Sequence, residues 1–217
     1  MQHPPRRASS FMKDRSSHGF VHFASDVKSW MNRPPSVEVA RPARCPCCGA
    51  ASRPLGKPLQ MHGHGLRERQ LRGPLEPGGP PVLIILLLRR YLCLLCGCVA
   101  TVVPRGVLRG RLFSSSAIAL ALALFGLEEK TEVETRKKTS PWSIGGVTAA
   151  DGWLCLHRWV RAIRRGRLFS GLFTFSDTWT ARQVAARAAR ALASRGPSEH
   201  RAHEVSAAAF IGAAQVS

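Results

Sequence analysis

The chain has 217 residues, enough for one ordinary domain or two small ones, and its apolar fraction of 45% is that of a folded soluble protein. Lys and Arg total 32 against 13 Asp and Glu, a formal charge of +19, which favours polyanionic partners: DNA, RNA or an anionic membrane surface. The two apolar runs, Pro81–Leu88 and Ala117–Leu127, are too short to span a bilayer, which excludes an α-helical membrane protein.

Residues 1–43 read as a flexible basic leader, punctuated by Pro4-Pro5, Ser9-Ser10, Ser16-Ser17 and Pro34-Pro35. A short helix near Phe20–Met31, capped by Ser25-Asp26, is the one element it offers. No apolar segment of signal length occurs there, so the expected compartment is the cytoplasm, with nucleoid association and reduced thiols. Residues 44–111 are bounded by cysteines and predict a small antiparallel sheet. Its strands are Val82–Leu92 and Val99–Val103, the second stopped by Pro104. Residues 112–170 turn helical. Ser114–Ser116 cap a buried helix over Ala117–Phe125, with Gly126 as its stop. A polar loop, Lys130–Thr139, follows. Ser140-Pro141 opens a short helix to Gly145, Gly146-Val147 turns the chain, and Thr148 caps a helix to about Arg165. The tail, 171–217, predicts a helix over Trp179–Ser194 capped by Ser176-Asp177, and another over about Ser198–Ala214. The expected class is α+β: a zinc-ribbon sheet, a helix-turn-helix-like domain and C-terminal helices.

Seven cysteines in a reducing compartment need an explanation other than disulfides. Cys45-Pro-Cys-Cys-Gly49 and Cys93-Leu-Leu-Cys-Gly97 supply it. A Cys-x-x-Cys pair followed by Gly is a compact metal-binding turn, because Gly takes the positive φ that wraps backbone around the ion. Two such turns give Cys45, Cys48, Cys93 and Cys96 as four ligands for one structural zinc ion. The gap between the pairs is longer than the common ~15–20 residues. Cys47 and Cys98 compete as ligands, and His62 and His64 lie between the turns, where exposed loop positions are the expectation.

Ser140–Arg165 has the order of a helix-turn-helix: short helix, Gly turn, capped second helix. Arg158, Arg161 and Arg165 share one face of the second helix, with Arg164 and His157 nearby. Trp153, Leu156, Val160 and Ile163 take the other. An Arg face opposite an apolar face suits a DNA major groove, although a solvated basic face has the same pattern and a GC-rich genome also inflates Arg. Gly152 is an unfavourable residue inside such a helix.

Four stretches together resemble the N-terminal region of bacterial insertion-sequence transposases. They are Cys45–Gly49, His62-Gly63 to Arg67, Arg89-Arg90-Tyr91-Leu92-Cys93, and Thr148–Trp159. The likeness covers about residues 44–165 and extends to short proteins of the same layout that lack a transposase core. It implies duplex-DNA binding, with Arg89, Arg90 and Thr148 among the contacts; it does not imply transposition.

An enzyme is not expected. Transposase chemistry needs three carboxylates holding two metal ions, and none of the four Asp lies in a strand-like run. Nucleotide loops, the Gly-x-Ser-x-Gly elbow and His-Glu-x-x-His are absent. Cys155 and His157 would sit about 200° apart around a helix, a poor nucleophile–base pair. The alternatives are a protein-interaction ribbon, with a protein partner or homodimer, and an RNA-binding protein. A membrane-surface role is disfavoured because Ala117–Leu127 has no polar face.

Overall fold

The computed structural model describes residues 18–142, 152–197 and 204–216. The protein is α+β: a four-stranded sheet and, among the described residues, six helices. The strands are β1 (His18–Phe23), β2 (Met61–Gly73), β3 (Val82–Cys93) and β4 (Val99–Pro104), in spatial order β1-β4-β3-β2. The helices are α1 (Val27–Asn32), α2 (Ser115–Gly126), α3 (Glu132–Thr139), α4 (Leu154–Arg164), α5 (Ala181–Ala193) and α6 (Val205–Ala213).

The sheet is mixed rather than purely antiparallel. β2–β3 and β3–β4 are antiparallel, but β1 runs parallel to β4 from His18↔Val99 to Phe23↔Pro104. From His18 onward the expected flexible leader is therefore structural. Asp26 caps α1, its carboxylate accepting from the Ser29 N–H at 2.7 Å. That places Trp30, fully buried, against Phe23, and its Nε1 donates to the Leu87 carbonyl at 2.9 Å. Residues 33–40 then lie along β3: Tyr91 donates to the Val37 carbonyl at 2.7 Å and Arg89 Nε to that of Pro35 at 2.9 Å. The sheet core is Trp30, Met61, Leu86, Leu88, Tyr91 and Val102, with Cys45, Cys93 and Cys98 at one end.

The second core is helical. α2 is buried on every side, which its Ala/Leu sequence allows and its Ser114 cap starts, the hydroxyl accepting from Ala117 N–H at 3.0 Å. Around it pack Trp153, Leu156, Trp159 and Ile163 from the α4 region, Val184, Ala188 and Leu192 from α5, and Ala209 and Ala213 from α6. Two glycines permit the close crossings. A Cβ on Gly126 would meet the backbone of Ala185 and Ala186, and one on Gly212 the backbone of Leu192. The two halves are joined by hydrogen bonds: Arg72 N–H to Leu112 O at 2.8 Å, and Ser115 N–H to Gly106 O at 2.8 Å.

Several local expectations change. Lys130–Thr139 is a helix from Glu132 rather than a loop. It is started by a capping box in which Glu134 N–H donates to Thr131 Oγ1 (3.2 Å) and Thr131 N–H to Glu134 Oε2 (2.8 Å). Ser140 ends α3 as its C-cap, its N–H bonded to Arg136 O at 2.8 Å. α4 begins at Leu154 after Trp153, so Gly152 precedes the helix and Thr148 is not its cap. Thr148, the Gly146-Val147 turn and most of the proposed first helix lie outside the described residues. α5 is capped by Thr180 with Gln183, not by Ser176-Asp177. Among the described residues no helix is long and apolar enough to cross a membrane.

Candidate metal centre and arginine faces

Two backbone turns of the same design build the sulfur cluster. In the first, Cys45 N–H donates to Ala50 O (2.8 Å) and Gly49 N–H to Cys45 O (2.9 Å). In the second, Cys93 N–H donates to Cys98 O (2.9 Å) and Gly97 N–H to Cys93 O (2.9 Å). Each is closed by a glycine at positive φ, 74° at Gly49 and 71° at Gly97, a conformation that costs a side-chain-bearing residue roughly 1 kcal/mol or more. The turns also aim backbone N–H groups at sulfur. Cys47 N–H points at Cys45 Sγ at 3.4 Å, and backbone groups at Ala50, Leu95, Cys96 and Cys98 serve the other thiols.

The long sequence gap between the turns is filled by the β2–β3 hairpin. It leaves the site at Met61 and returns at Cys93, and those two residues are paired across the ladder. Gln60 ties the corner, accepting from Leu94 N–H and donating its own N–H to Ser52 O, both at 2.9 Å. The spacing is therefore the length of a hairpin arm out and back.

Cys45, Cys48, Cys93 and Cys96 have all four sulfurs within 4.8 Å of one another. Cys45–Cys96 is 3.7 Å and Cys48–Cys93 is 3.8 Å. A tetrahedral ion with metal–sulfur bonds of about 2.3 Å separates its ligand sulfurs by about 3.8 Å, so the cluster fits a metal ion held by four thiolates. Cys45 and Cys93 are buried, Cys96 half-buried and Cys48 exposed. All four positions come from protein, leaving none for water or substrate.

Cys47 and Cys98 form a second sulfur group with Cys45, all within 4.8 Å of one another. Cys47 and Cys98 are joined to each other as a disulfide, with Cα atoms 6.4 Å apart. This corrects the expectation that every cysteine stays reduced. The second turn places Cys98 one residue past its glycine, directly beside the exposed apex of the first. His62 and His64 are exposed on β2; neither belongs to the sulfur group, and His62 Nε2 lies 2.9 Å from Leu59 O.

The thiols differ in acidity. The backbone hydrogen bond at Ala50 outweighs burial at Cys48 and brings its pKa down to about 7. Burial dominates at Cys93, raising it, and at Cys96, where the pKa is pushed up to about 12. In metal-free protein Cys48 should therefore be alkylated before Cys93 and Cys96, half-maximally near pH 7. Peptide mass mapping after iodoacetamide pulses across pH checks this; equal labelling of Cys48 and Cys96 at pH 7 would contradict it.

The arginine positions separate into free and tethered groups. Arg158, Arg161 and Arg165 are exposed along one face of α4, opposite buried Leu156, Trp159, Val160 and Ile163. Arg164 is turned inward, donating to the carbonyls of Asp177 and Trp179. His157 Nε2 lies 2.8 Å from Glu132 Oε1, and Glu132 Oε2 accepts from the Trp153 N–H. Glu132 thus anchors the start of α4 to α3, a role its place in an apparent polar loop concealed. Arg89 is held by Pro35, whereas Arg90 points to the other side of the sheet, sharing a row with Thr101.

No protein-family model, curated protein or solved structure matches this chain.

Proposed function

We propose that the chain is a DNA-binding protein, not an enzyme, in which a zinc ion on Cys45, Cys48, Cys93 and Cys96 holds the sheet and α4 presents arginines to duplex DNA. The observation that carries the reading is the α4 face. Arg158, Arg161 and Arg165 are exposed at helical spacing, and no carboxylate pairs with them among the described residues. Arg guanidinium bridges phosphate oxygens and reads guanine edges. A chain of net charge +19 adds the long-range attraction. Zinc is the preferred ion because a closed tetrahedral set of four thiolates suits it and structural sites take this form. A filled coordination shell supports a structural role.

Electrophoretic mobility shifts on duplex DNA across a salt series test this. Affinity should fall steeply with salt, since each neutralised phosphate contributes about −0.9 to the slope of log affinity against log salt. Arg158→Ala/Arg161→Ala/Arg165→Ala should flatten that slope by up to about 2.7. Binding that ignores both salt and the triple substitution would refute the assignment.

A protein-interaction role is favoured by one observation. Leu83, Ile85 and Leu87 alternate along β3 and are 37%, 57% and 39% exposed. A row of three large apolar side chains at the sheet surface is a feature of contact surfaces. Copurification of a protein partner after nuclease treatment, lost in Ile85→Lys, would favour that reading.

A further inference from the structure

The face of the sheet away from Arg89 carries a second set of arginines that the α4 reading does not use. Arg67 and Arg69 are two residues apart on β2 and so project to the same face, while Glu68 between them projects to the other. Arg109, from the loop after β4, joins them around a cavity of about 240 Å³, with Phe20 and the buried Thr101 in its wall. A water molecule needs about 10–15 Å³ of such space, so the cavity takes a ligand well beyond one water. Arg90 lies in the Thr101 row on that side, its guanidinium close to Gly65.

The charge there is uncompensated. None of Arg67, Arg69, Arg90 or Arg109 is ion-paired among the described residues. Among the described residues the Nε atoms of Arg69 and Arg90 are buried with no hydrogen-bond partner. Arg69 itself is fixed, donating one terminal nitrogen to the carbonyls of Leu108 (2.8 Å) and Arg111 (2.5 Å). Burial, and then the Arg67 charge, disfavour its cationic form. Converging arginines with unmet donors are stabilised by a ligand of opposite charge and several acceptor oxygens.

We propose that the cavity between Arg67, Arg69 and Arg109 is a phosphate-binding site. The two exposed arginines clamp the oxygens from the rim, Arg69 supplies charge from the floor, and the Thr101 hydroxyl adds a polar contact. The phosphate is either free or terminal, as in inorganic phosphate or a nucleotide end, or an internal phosphodiester of a strand lying across the sheet. The site is on the sheet rather than α4 and does not depend on α4 binding DNA.

The test is titration of the full chain with inorganic phosphate by calorimetry and ³¹P line broadening, at constant ionic strength with chloride as the replacement anion. Saturable binding is expected, weakened at least about tenfold in Arg67→Ala/Arg109→Ala, each exchanged side chain being worth a charge-assisted contact. Both side chains are exposed and neither is ion-paired among the described residues, and Arg109→Ala alone is a milder second variant. Arg158→Ala/Arg161→Ala should leave phosphate binding intact, so failure of the DNA reading and of this site are distinguishable. Oligonucleotides with and without a 5′-phosphate then separate the sources. Preference for the phosphorylated end marks a terminal-phosphate site, and equal binding by both, lost in the Arg67/Arg109 variant, marks a backbone site. Absence of saturable phosphate binding, or binding unchanged in both Arg variants, overturns the proposal.

Discussion

Cys93→Ser/Cys96→Ser is expected to abolish metal binding and unfold the sheet half while the helical half stays folded. Structural zinc contributes on the order of 10 kcal/mol of apparent free energy in small zinc domains at neutral pH, comparable to the ~5–15 kcal/mol that holds a whole domain together. Cys93 ends β3, pairs with Met61 and belongs to the same buried cluster as Trp30 and Tyr91, so losing the centre removes the anchor of the hairpin. The core around α2 contains none of these four cysteines and should persist. Hydrogen exchange resolves the two halves: amides of β3 should lose protection and those of α2 keep it. Acid should act in the same direction, since protonating the thiolates releases the ion. The Cys47–Cys98 disulfide closes a link across 51 residues independently of metal, and links of this kind contribute about 2–4 kcal/mol. Chelator with a reductant should therefore unfold the sheet more completely than chelator alone. A double-serine variant with β3 protection intact would show that the sulfurs do not hold the sheet.

Gly126→Ala should destabilise the helical half by about 3 kcal/mol, against the direction that helix propensity sets. Propensity favours Ala over Gly by about 1 kcal/mol inside a helix. Packing opposes it, because the added methyl would sit inside contact distance of the Ala185 and Ala186 backbone, which cannot rotate away. Overpacking at a close crossing costs about 1–3 kcal/mol and more where backbone must move, so packing wins. A thermal midpoint lower by about 6–12 °C is expected for a chain of this size. A midpoint that rises would mean that α2 and α5 do not cross this closely.

The sequence made the sulfur ligands legible because each turn carries its own signal, two thiols three apart and a glycine that must adopt positive φ. Helix α2 was legible for a similar reason, a Ser cap before an uninterrupted apolar run. β2 was not. His62-Gly-His-Gly-Leu-Arg-Glu-Arg is polar and glycine-rich, and its strand form comes from pairing with the apolar β3 rather than from local preference. β1 was hidden likewise, since its partner β4 lies about 80 residues away and a parallel pairing leaves no turn to read. Thr131-Glu-Val-Glu134 did encode the start of α3 as a capping box, but the charges around it read as a loop. Among the basic residues, sequence spacing placed Arg158, Arg161 and Arg165 on one face. It could not separate them from Arg164 and His157, whose partners come from elsewhere in the chain. The Arg67–Arg69–Arg109 grouping depends on a strand and a loop far apart in sequence, so no local pattern announced it.

X-ray absorption at the metal edge of the purified full-length chain, with elemental analysis, bears most directly on the four-sulfur centre. One zinc per chain with four sulfur neighbours at about 2.3 Å is the expected spectrum. A folded sheet without bound metal, or a zinc shell of nitrogen and oxygen atoms, would contradict it.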